Sequence, residues 1–457
     1  MNNYIADRLG IAQGDIVALM GAGGKTTLML RLGCELSLRS KVLITTTTKI
    51  YRPKPGQAGP VVLAGSIDEA IWQLGVQWMS SPCVVLGQRE IAGGKLLGIP
   101  EFWFSALRAA FPACTILVEA DGAMGRWLKG HHVHEPVIPR ETTLVVVVMG
   151  LGVIGKPLDS QYVHRPEVVA GSTGLSMGET IAPAHAAASL AGQFALAVSQ
   201  APLSRQALWL NMVGDRNDAA LLASGRLVAR HLNRLLPARQ VLIGKASALA
   251  QVPESWPPSR PVAGVVLAAG LSTRLGGDKM FLPWRGKALL RHAVENLLMS
   301  QVAGVAVVLG HRANEARLLL GGLPIEIVEN PAYHGGIGSS VQAAAAFLVG
   351  RKDLPQGVLF ALGDQPRLSP STIDTLVQRF LTQRSQIIYP TYEGKRGNPV
   401  IFPVELLGDF LSLGADQGGR EIMERYRERL CGVEVGDDAV LNDIDTPADY
   451  EQLLKID

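Results

Sequence analysis

Residues 267–279 read LAAGLSTRLGGDK, and they directly follow the apolar run Val262–Val266. An unbroken apolar run that ends in turn residues is typical of a buried strand in a parallel sheet. The segment then supplies small residues, a hydroxyl and two cations, Arg274 and Lys279, so a backbone can approach a triphosphate closely. The spacing differs from both GxGxxG and GxxxxGK[ST], and an ordinary glycine-rich turn is the alternative. The stretch predicts an α/β sheet with a nucleotide loop at the carboxyl end of one strand.

Two later segments in the same half of the chain contain carboxylates that could bind a metal ion. Residues 357–366, GVLFALGDQP, form an apolar strand pattern that ends in Asp364 and a turn. Ligands of an open α/β sheet bind at this edge, and a hard oxygen donor beside a triphosphate predicts Mg²⁺. Near the C terminus, NDIDTPADY contains Asp443 and Asp445. Thr446 or Asp445 could also cap a final helix, and the two roles are compatible.

Two further loops carry groups that suit a phosphorylated ligand. GGIGSS, residues 335–340, precedes an Ala-rich helix that Ser339 or Ser340 could cap, and the amides of its first turn would attract an anion. GKRGNPV, residues 394–400, places two cations and an Asn in a turn between the apparent strands IIYPTY and VIF. These cations could grip the phosphate of an acceptor, or the turn could be a solvated hairpin tip.

The loop at residues 267–279 resembles the signature LA[AG]GxSxRMGxxK of MobA-like nucleotidyltransferases, with Leu275 where Met is usual. GDQP and DIDTPxDY resemble the metal-binding corners of the molybdenum cofactor cytidylyltransferase branch. This resemblance implies a Rossmann-like domain in which a phosphate of molybdopterin attacks CTP and pyrophosphate leaves, with Arg274, Lys279 and Asp364 as catalytic residues. It further implies that Ala269 lies against the base, since Ala is typical of cytidylyl branches. The implied nucleotide site is Leu267, Ala268, Ala269, Gly270, Ser272, Arg274, Lys279, Gly338 and Ser339; the acceptor site is Lys395, Arg396 and Asn398; the Mg²⁺ site is Asp364, Asp443 and Asp445.

Two other functions fit the same pattern. A guanylyltransferase or sugar-phosphate nucleotidyltransferase could use the same fold, because function depends on the site rather than on the fold. A chaperone that binds nucleotide and pterin without turnover would also keep these residues.

The first half of the chain has a phosphate loop of its own. IVALM, residues 16–20, predicts a strand, and GAGGKTT, Gly21–Thr27, then opens a helix. Backbone amides, Lys25 and the Thr26 hydroxyl would cradle phosphates and hold Mg²⁺. Leu19 stands where GxxxxGK[ST] needs glycine, and the shorter form resembles that of Mur-type ligases, which bind ATP. A glycine-rich cap with an incidental Lys is the alternative. The predicted nucleotide-binding residues are Gly21, Gly23, Gly24, Lys25, Thr26 and Thr27.

A second strand of this half ends in carboxylates. TILVEADGA, residues 115–123, is apolar up to Glu119 and Asp121. A carboxylate at the end of a strand beside a phosphate-loop strand is the Walker-B position, which coordinates Mg²⁺, so both acids are candidate ligands. VLITTTTKI, residues 42–50, predicts a β-branched strand that breaks into hydroxyls, and a Thr-rich sheet edge is the alternative.

Two polar stretches give weaker signals. HHVH, residues 131–134, has no partner Cys and no HxxxH spacing, which favours a surface or substrate-side loop over a metal site. NMVGD, residues 211–215, has neither the Lys nor the spacing of a guanine-reading NKxD, so it supports no assignment.

In this order, GAGGKTT, TTTTKI, VEADGA, HEPVIP and VHRPE resemble the YqeC family, accessory proteins of selenium-dependent molybdenum hydroxylases. The resemblance covers about residues 1–250. It implies a P-loop-type α/β domain that binds ATP or GTP and serves the maturation of a molybdenum hydroxylase apoenzyme.

Composition limits the remaining possibilities. A net charge of +3 over 457 residues gives no basic face for nucleic acid, and four scattered Cys fit neither a disulfide framework nor a zinc site. The N terminus lacks an apolar signal segment, and no apolar stretch is long enough to span a bilayer. We therefore expect a cytoplasmic enzyme with no nucleic-acid or membrane partner. The Pro-rich segment 251–261 predicts a linker between two domains, 1–250 and 262–457.

Overall fold

The computed structural model describes residues 4–132, 134–236, 240–248, 253–256, 262–270, 278–351, 353–414 and 417–456. The chain divides into two compact units, Met1–Trp256 and Pro257–Asp457. Each unit is built on a mostly parallel sheet with helices, which confirms the predicted α/β class. Among the described residues, no helix is long and apolar enough to cross a membrane.

The first unit alternates strands and helices along the chain. Its strands are β1 Ile16–Gly21, β2 Val42–Thr46, β3 Lys49–Tyr51, β4 Val61–Leu63, β5 Cys83–Gly87, β6 Arg89–Ile91, β7 Lys95–Leu97, β8 Thr115–Glu119, β9 Leu128–Lys129, β10 Leu144–Gly150, β11 Val163–His164, β12 Arg205–Asn211, β13 Gln240–Gly244 and β14 Glu254–Trp256. Its helices are α1 Ile5–Arg8, α2 Lys25–Ser37, α3 Ile67–Gln77, α4 Trp103–Ala110, α5 Pro166–Thr173, α6 Pro183–Gln200 and α7 Asp218–Leu235.

Nine of these strands form one sheet in the order β14-β13-β12-β10-β1-β8-β2-β5-β4. All neighbours in it are parallel except β14, which pairs antiparallel with β13. Every residue of β1 and β10 is buried, because helices cover both faces of a parallel sheet and the central strands become continuously apolar. The sheet therefore brings the carboxyl ends of β1, β8, β2 and β12 to one edge.

The second unit has the same plan with a mixed sheet. Its strands are β15 Val262–Ala268, β16 Pro283–Trp284, β17 Lys287–Ala288, β18 Val305–Leu309, β19 Glu326–Glu329, β20 Gly357–Leu362, β21 Ile387–Tyr392, β22 Lys395–Arg396, β23 Val400–Pro403 and β24 Leu430–Glu434. Its helices are α8 Leu289–Leu298, α9 Ala313–Leu319, α10 Ile337–Val349, α11 Pro370–Thr382, α12 Leu407–Leu411, α13 Gly419–Arg425 and α14 Pro447–Leu454.

The sheet of this unit has the order β19-β18-β15-β20-β23-β21-β22, and β24 pairs with β21. The four strands from β19 to β20 are parallel, whereas β23 pairs antiparallel with β20 and β21. In the register of β15 and β20, Leu267 lies opposite Leu362. The nucleotide loop and the GDQP turn therefore leave the sheet side by side.

Two local predictions and one alternative differ from the structure. The cap of α10 is Gly336 with no side-chain hydrogen bond, so the prediction that Ser339 or Ser340 caps this helix was wrong. The predicted linker contains β14, because Glu254–Trp256 adds an edge strand to the first sheet. The Thr-rich strand β2 lies inside the sheet between β8 and β5, so it is not an edge.

Candidate active sites

One lysine joins two carboxylates at the sheet edge of the second unit. Lys279 opens a short 3₁₀ turn after the nucleotide loop, and its Nζ lies 2.5 Å from Asp364 Oδ2 and 2.6 Å from Asp445 Oδ1. Asp364 follows β20, while Asp445 directly precedes the cap of α14. Thr446 is that cap and accepts from the Asp449 backbone N–H, so Asp445 is not the cap. The structure thus brings together three residues that are 166 positions apart at most.

The electrostatics of this corner are dominated by its carboxylates. Burial lowers the pKa of Lys279, but Asp364 and Asp445 outweigh this and leave it raised. Burial, reinforced by the charge of Asp364, raises the pKa of Asp443 to about 6, against a hydrogen bond from Gln365 of 2.6 Å. A further cation close to Asp443 would favour its charged form.

The corner has the donor chemistry that a divalent cation requires. Asp364 Oδ1 is buried and has no hydrogen-bond partner within the described part of the chain, so one hard oxygen is available. No group of three or more His, Cys, Asp or Glu side chains is arranged around a common point among the residues that the structure describes. In this structure Asp364 and Asp445 both contact the Lys279 ammonium group instead.

The rest of the predicted nucleotide site lies partly outside the described residues. Ser272 and Arg274 belong to residues 271–277, which the structure does not describe. Ala268 and Ala269 are buried at the end of β15, and Gly270 is exposed. Ala269 O accepts a long hydrogen bond, 3.5 Å, from the His311 backbone N–H.

The first turn of α10 contains Gly338 and Ser339, both buried. Asn330, which sequence reasoning did not select, donates to the hydroxyls of Ser339 and Ser340 at 2.9 and 3.1 Å. It follows β19 in an Asn-Pro turn, a position typical of site residues. Asn330 therefore ties the end of β19 to the start of α10.

The predicted acceptor residues do not share one environment. Lys395 and Arg396 form β22, an exposed hairpin strand at the edge of the sheet. The Asn398 backbone N–H donates to Val440 O at 2.9 Å, and Gln365 Nε2 lies 3.4 Å from the same oxygen. Asn398 is thus linked to the carboxylate corner through Val440.

The phosphate loop Gly21–Thr27 of the first unit has a conformation that depends on glycine. Gly23 and Gly24 have φ of 85° and 123°. A Cβ on Gly23 would lie 2.3 Å from Gly150 N, and one on Gly24 would lie 2.2 Å from Asn211 Nδ2. The loop leads into α2, whose 13 residues begin at Lys25. It has the strand, loop and helix order that suits phosphate binding at a helix N terminus.

The two acids after β8 occupy different environments. Glu119 Oε2 accepts from the Thr26 hydroxyl at 2.7 Å and lines the cavity in front of the loop. Asp121 is fully buried and lies 3.0 Å from Lys25 Nζ, and it accepts from the Gly21 backbone N–H at 3.0 Å. Burial raises the pKa of Glu119. The pKa of Asp121 stays well below its usual range, because Lys25, His131 and Lys129 outweigh the effect of its burial.

Several residues of this site have signals that sequence reasoning undervalued. The His131 side chain is 1% exposed, and its Nε2 lies 2.5 Å from Asp121 Oδ2, so it belongs to the interior rather than to a surface loop. Lys129 lies 3.3 Å from Asp121 and 2.6 Å from Glu135, which also pairs with Arg165 at 2.6 Å. Glu135 lies in HEPVIP and Arg165 lies in VHRPE, and the opposite charges of these two residues were the available signal.

Asn211 also belongs to the site. It ends β12, donates to Gly23 O at 2.8 Å and accepts from the Ala246 backbone N–H at 3.1 Å. The side chain therefore fixes the phosphate loop to the loop after β13.

A cavity of about 1230 Å³ opens in front of the phosphate loop. Its walls include Gly23–Thr27, the segment after β2, the segment after β8 and the loops after β12 and β13. The loop thus lies at the floor of a large cleft within the first unit.

Family comparisons identify both parts of the chain. The family model for the YqeC protein matches residues 17–167, and the model for the MobA-like NTP transferase domain matches residues 264–430. The chain belongs to the MobA-like NTP transferase family and carries a YqeC domain ahead of it. It is a nucleotidyltransferase. Both predicted family resemblances are confirmed.

Three curated proteins show how far the similarity extends. Nicotine blue oxidoreductase of Paenarthrobacter nicotinovorans is 31% identical over 200 residues, which are 42% of this chain and 96% of that protein. The molybdenum cofactor cytidylyltransferase of Escherichia coli is 28% identical over 192 residues, 41% of this chain and 92% of that protein. The protein YqeC of Escherichia coli is 36% identical over 169 residues, 36% of this chain, and the match spans only 63% of its length.

Proposed function

We propose that the second unit is a Mg²⁺-dependent CTP:molybdenum cofactor cytidylyltransferase that releases pyrophosphate. The observation that carries this proposal is Lys279, held at 2.5 and 2.6 Å between Asp364 and Asp445 beside the nucleotide loop. Similarity to a protein named molybdenum cofactor cytidylyltransferase supports the acceptor and the base.

The chain's own residues would act mainly by positioning and charge. Lys279 would leave the carboxylates to bind a phosphate oxygen of CTP, together with Arg274 from the loop. Asp364 and Asp445 would hold Mg²⁺, which neutralises charge on the triphosphate. A terminal phosphate oxygen of molybdopterin, held near Asn398 with Lys395 and Arg396, then attacks the α-phosphorus, and the bond to pyrophosphate breaks. Transfers of this kind need positioning and electrostatic stabilisation more than covalent catalysis.

The direct test is a substrate survey on the full chain. The protein is incubated with Mg²⁺, molybdenum cofactor and each of the four NTPs, and both pyrophosphate and the dinucleotide product are measured. We expect product with CTP and little with the others. Equal turnover with GTP, turnover with a sugar phosphate in place of the pterin, or binding of both ligands without pyrophosphate would contradict the proposal.

We propose that the first unit binds ATP or GTP on Gly21–Thr27 and acts as an accessory domain in the maturation of a molybdenum hydroxylase apoenzyme. Thr26 and Glu119 would hold Mg²⁺, because they are hydrogen-bonded to each other at the cavity wall. Asp121 is enclosed by Lys25, Lys129 and His131, so its role would be to fix the loop. Titration of the full chain with fluorescent ATP and GTP analogues tests the binding, and absence of a Lys25-dependent site would refute it.

We also propose that the two units work independently. A fragment that begins at Pro257 leaves β14 with the first sheet and keeps the whole second unit. We expect this fragment to be soluble and to retain cytidylyl transfer. Insolubility, or lost transfer with normal CTP binding, would mean that the first unit completes the transferase site.

A further inference from the structure

The cavity of the first unit is larger than one nucleotide site needs. Its volume of about 1230 Å³ exceeds the range of about 300–1,000 Å³ that is usual for a single small ligand. The phosphate loop lies between two parts of the wall. One part comes from the loops after β12 and β13, and the other from the segments that follow β2 and β8.

The position of Glu119 decides which part receives the nucleoside. Thr26 and Glu119 would hold Mg²⁺ in the proposed nucleotide site, and the metal would neutralise charge on the phosphates, so the terminal phosphate would lie on their side of the loop. In the sheet, β8 lies on one side of β1, and β10, β12 and β13 lie on the other. The nucleoside therefore extends toward Asn211, and the wall beyond Glu119 faces the terminal phosphate.

The wall beyond Glu119 combines cations with aromatic surface. We call it the second lobe and define it by Lys49, Tyr51, Lys95, Met124 and Arg126. None of its three cations forms an ion pair with a carboxylate in the described ranges, and Lys95 lies over the Tyr51 ring at 4.7 Å. Tyr51 is 65% exposed, so much of its ring is accessible from the cavity.

Glu135, a second acid of the cavity wall besides Glu119, is already neutralised. Glu135 lines the cavity, but its carboxylate is bound by Lys129 and by both terminal nitrogens of Arg165. Burial opposes ionisation of Glu135, yet these hydrogen bonds hold its pKa at about 2. The second lobe therefore keeps a net positive charge.

We propose that the second lobe binds a second substrate, an anionic small molecule with an aromatic ring, next to the terminal phosphate of the nucleotide. Lys49, Lys95 and Arg126 neutralise its charge, and Tyr51 contacts its ring. The inference rests on the proposed nucleotide site only for the position of the lobe relative to the terminal phosphate. The three cations and the Tyr51 ring define the lobe without it.

The test uses 4-methylumbelliferyl phosphate, a fluorescent aromatic phosphate, and its neutral parent 4-methylumbelliferone. Fluorescence polarisation on the full chain measures binding with and without saturating, non-hydrolysable ATP or GTP analogue and Mg²⁺. The affinity of each analogue is measured separately. The variants are the double substitution Lys49→Ala with Lys95→Ala and the control Lys54→Ala, which changes an exposed lysine outside the cavity.

We expect the phosphate probe to bind while the nucleotide analogue is bound, and to bind more tightly than the neutral parent. The double variant should weaken probe binding by about tenfold or more, since two charge-assisted contacts are lost, and Lys54→Ala should not. Probe displacement by the analogue, equal binding to the double variant, or no binding would overturn the inference. Failure of the nucleotide proposal gives a different result, namely no analogue binding while the lysine-dependent probe site persists.

Discussion

The lysines of the two sites are held in different ways. Around Lys25 cations and acids are matched, because Lys25 and Lys129 both pair with the buried Asp121 and Lys25 also lies 3.8 Å from Glu119. Around Lys279 the acids are in excess, since Asp364 and Asp445 share one ammonium group. Among the described residues, the charges around the phosphate loop are thus matched, whereas the transferase corner has more carboxylates than cations.

The largest effect is expected on the rate of nucleotidyl transfer, from substitutions of the carboxylates that contact Lys279. Asp364→Asn should slow nucleotidyl transfer by on the order of a hundredfold or more, because it removes a charge that the reaction needs for metal binding. Asp445→Asn should act similarly, and both proteins should remain folded. The measurement is pyrophosphate release with CTP at saturating Mg²⁺.

Asp449→Asn is the matched control for these two variants. Asp449 accepts from the Thr446 backbone N–H at 2.7 Å and belongs to the capping box of α14. Its loss should lower the free energy of unfolding by about 1 kcal/mol and leave the transfer rate nearly unchanged. A near-normal rate for Asp364→Asn would remove that carboxylate from the mechanism.

The next largest effect is expected on nucleotide binding by the phosphate loop of the first unit. Lys25→Ala should abolish nucleotide binding by the first unit, since the ammonium group is the cation at the head of α2. We expect the fold to survive because Lys129 and His131 still pair with Asp121. Equilibrium binding of a fluorescent ATP or GTP analogue measures the loss, and cytidylyl transfer serves as the internal control. If the variant bound nucleotide with normal affinity, Lys25 would not contact the phosphates.

Sequence reasoning performed differently on the two sites. Strand ends follow from apolar runs, so the positions of Asp364 and Glu119 at the sheet edge could be predicted. Contacts between distant segments could not, because nothing in HHVH shows that His131 packs on Asp121. Asn211 was set aside because its neighbours do not fit NKxD, although its place at the end of β12 alone brings it to Gly23.

A smaller effect is expected from loosening the phosphate loop. Asn211→Ala removes both the hydrogen bond to Gly23 O and the one from Ala246 N, so the loop loses its tie to the loop after β13. We expect nucleotide affinity to fall by about tenfold, which corresponds to about 1.4 kcal/mol. The control is Asn217→Ala, which removes the cap of α7 and should lower stability while leaving affinity unchanged. Equal affinities for the two variants would contradict a positioning role for Asn211.

The smallest effect is expected on the choice between CTP and GTP. Ala269 is 3% exposed, and a Cβ on the neighbouring Gly310 would lie 2.9 Å from its methyl group and 2.5 Å from Tyr333 Cβ. Gly310, Asn330 and Tyr333 line a cavity of about 450 Å³ at the ends of β18 and β19. Ala269 does not itself line this cavity. The family resemblance implies that its methyl group lies against the base, where we expect it to narrow the slot, which a pyrimidine tolerates better than a purine.

Ala269→Gly should therefore raise transfer from GTP relative to CTP. One methyl group discriminates by only about 1–3 kcal/mol, so wild-type protein should use GTP poorly rather than not at all. The ratio of kcat/KM values for the two nucleotides is the measurement, and thermal unfolding checks that the variant folds. An unchanged ratio, or wild-type protein that uses both nucleotides equally, would show that Ala269 does not select the base. The cytidylyl assignment would then depend on the acceptor alone.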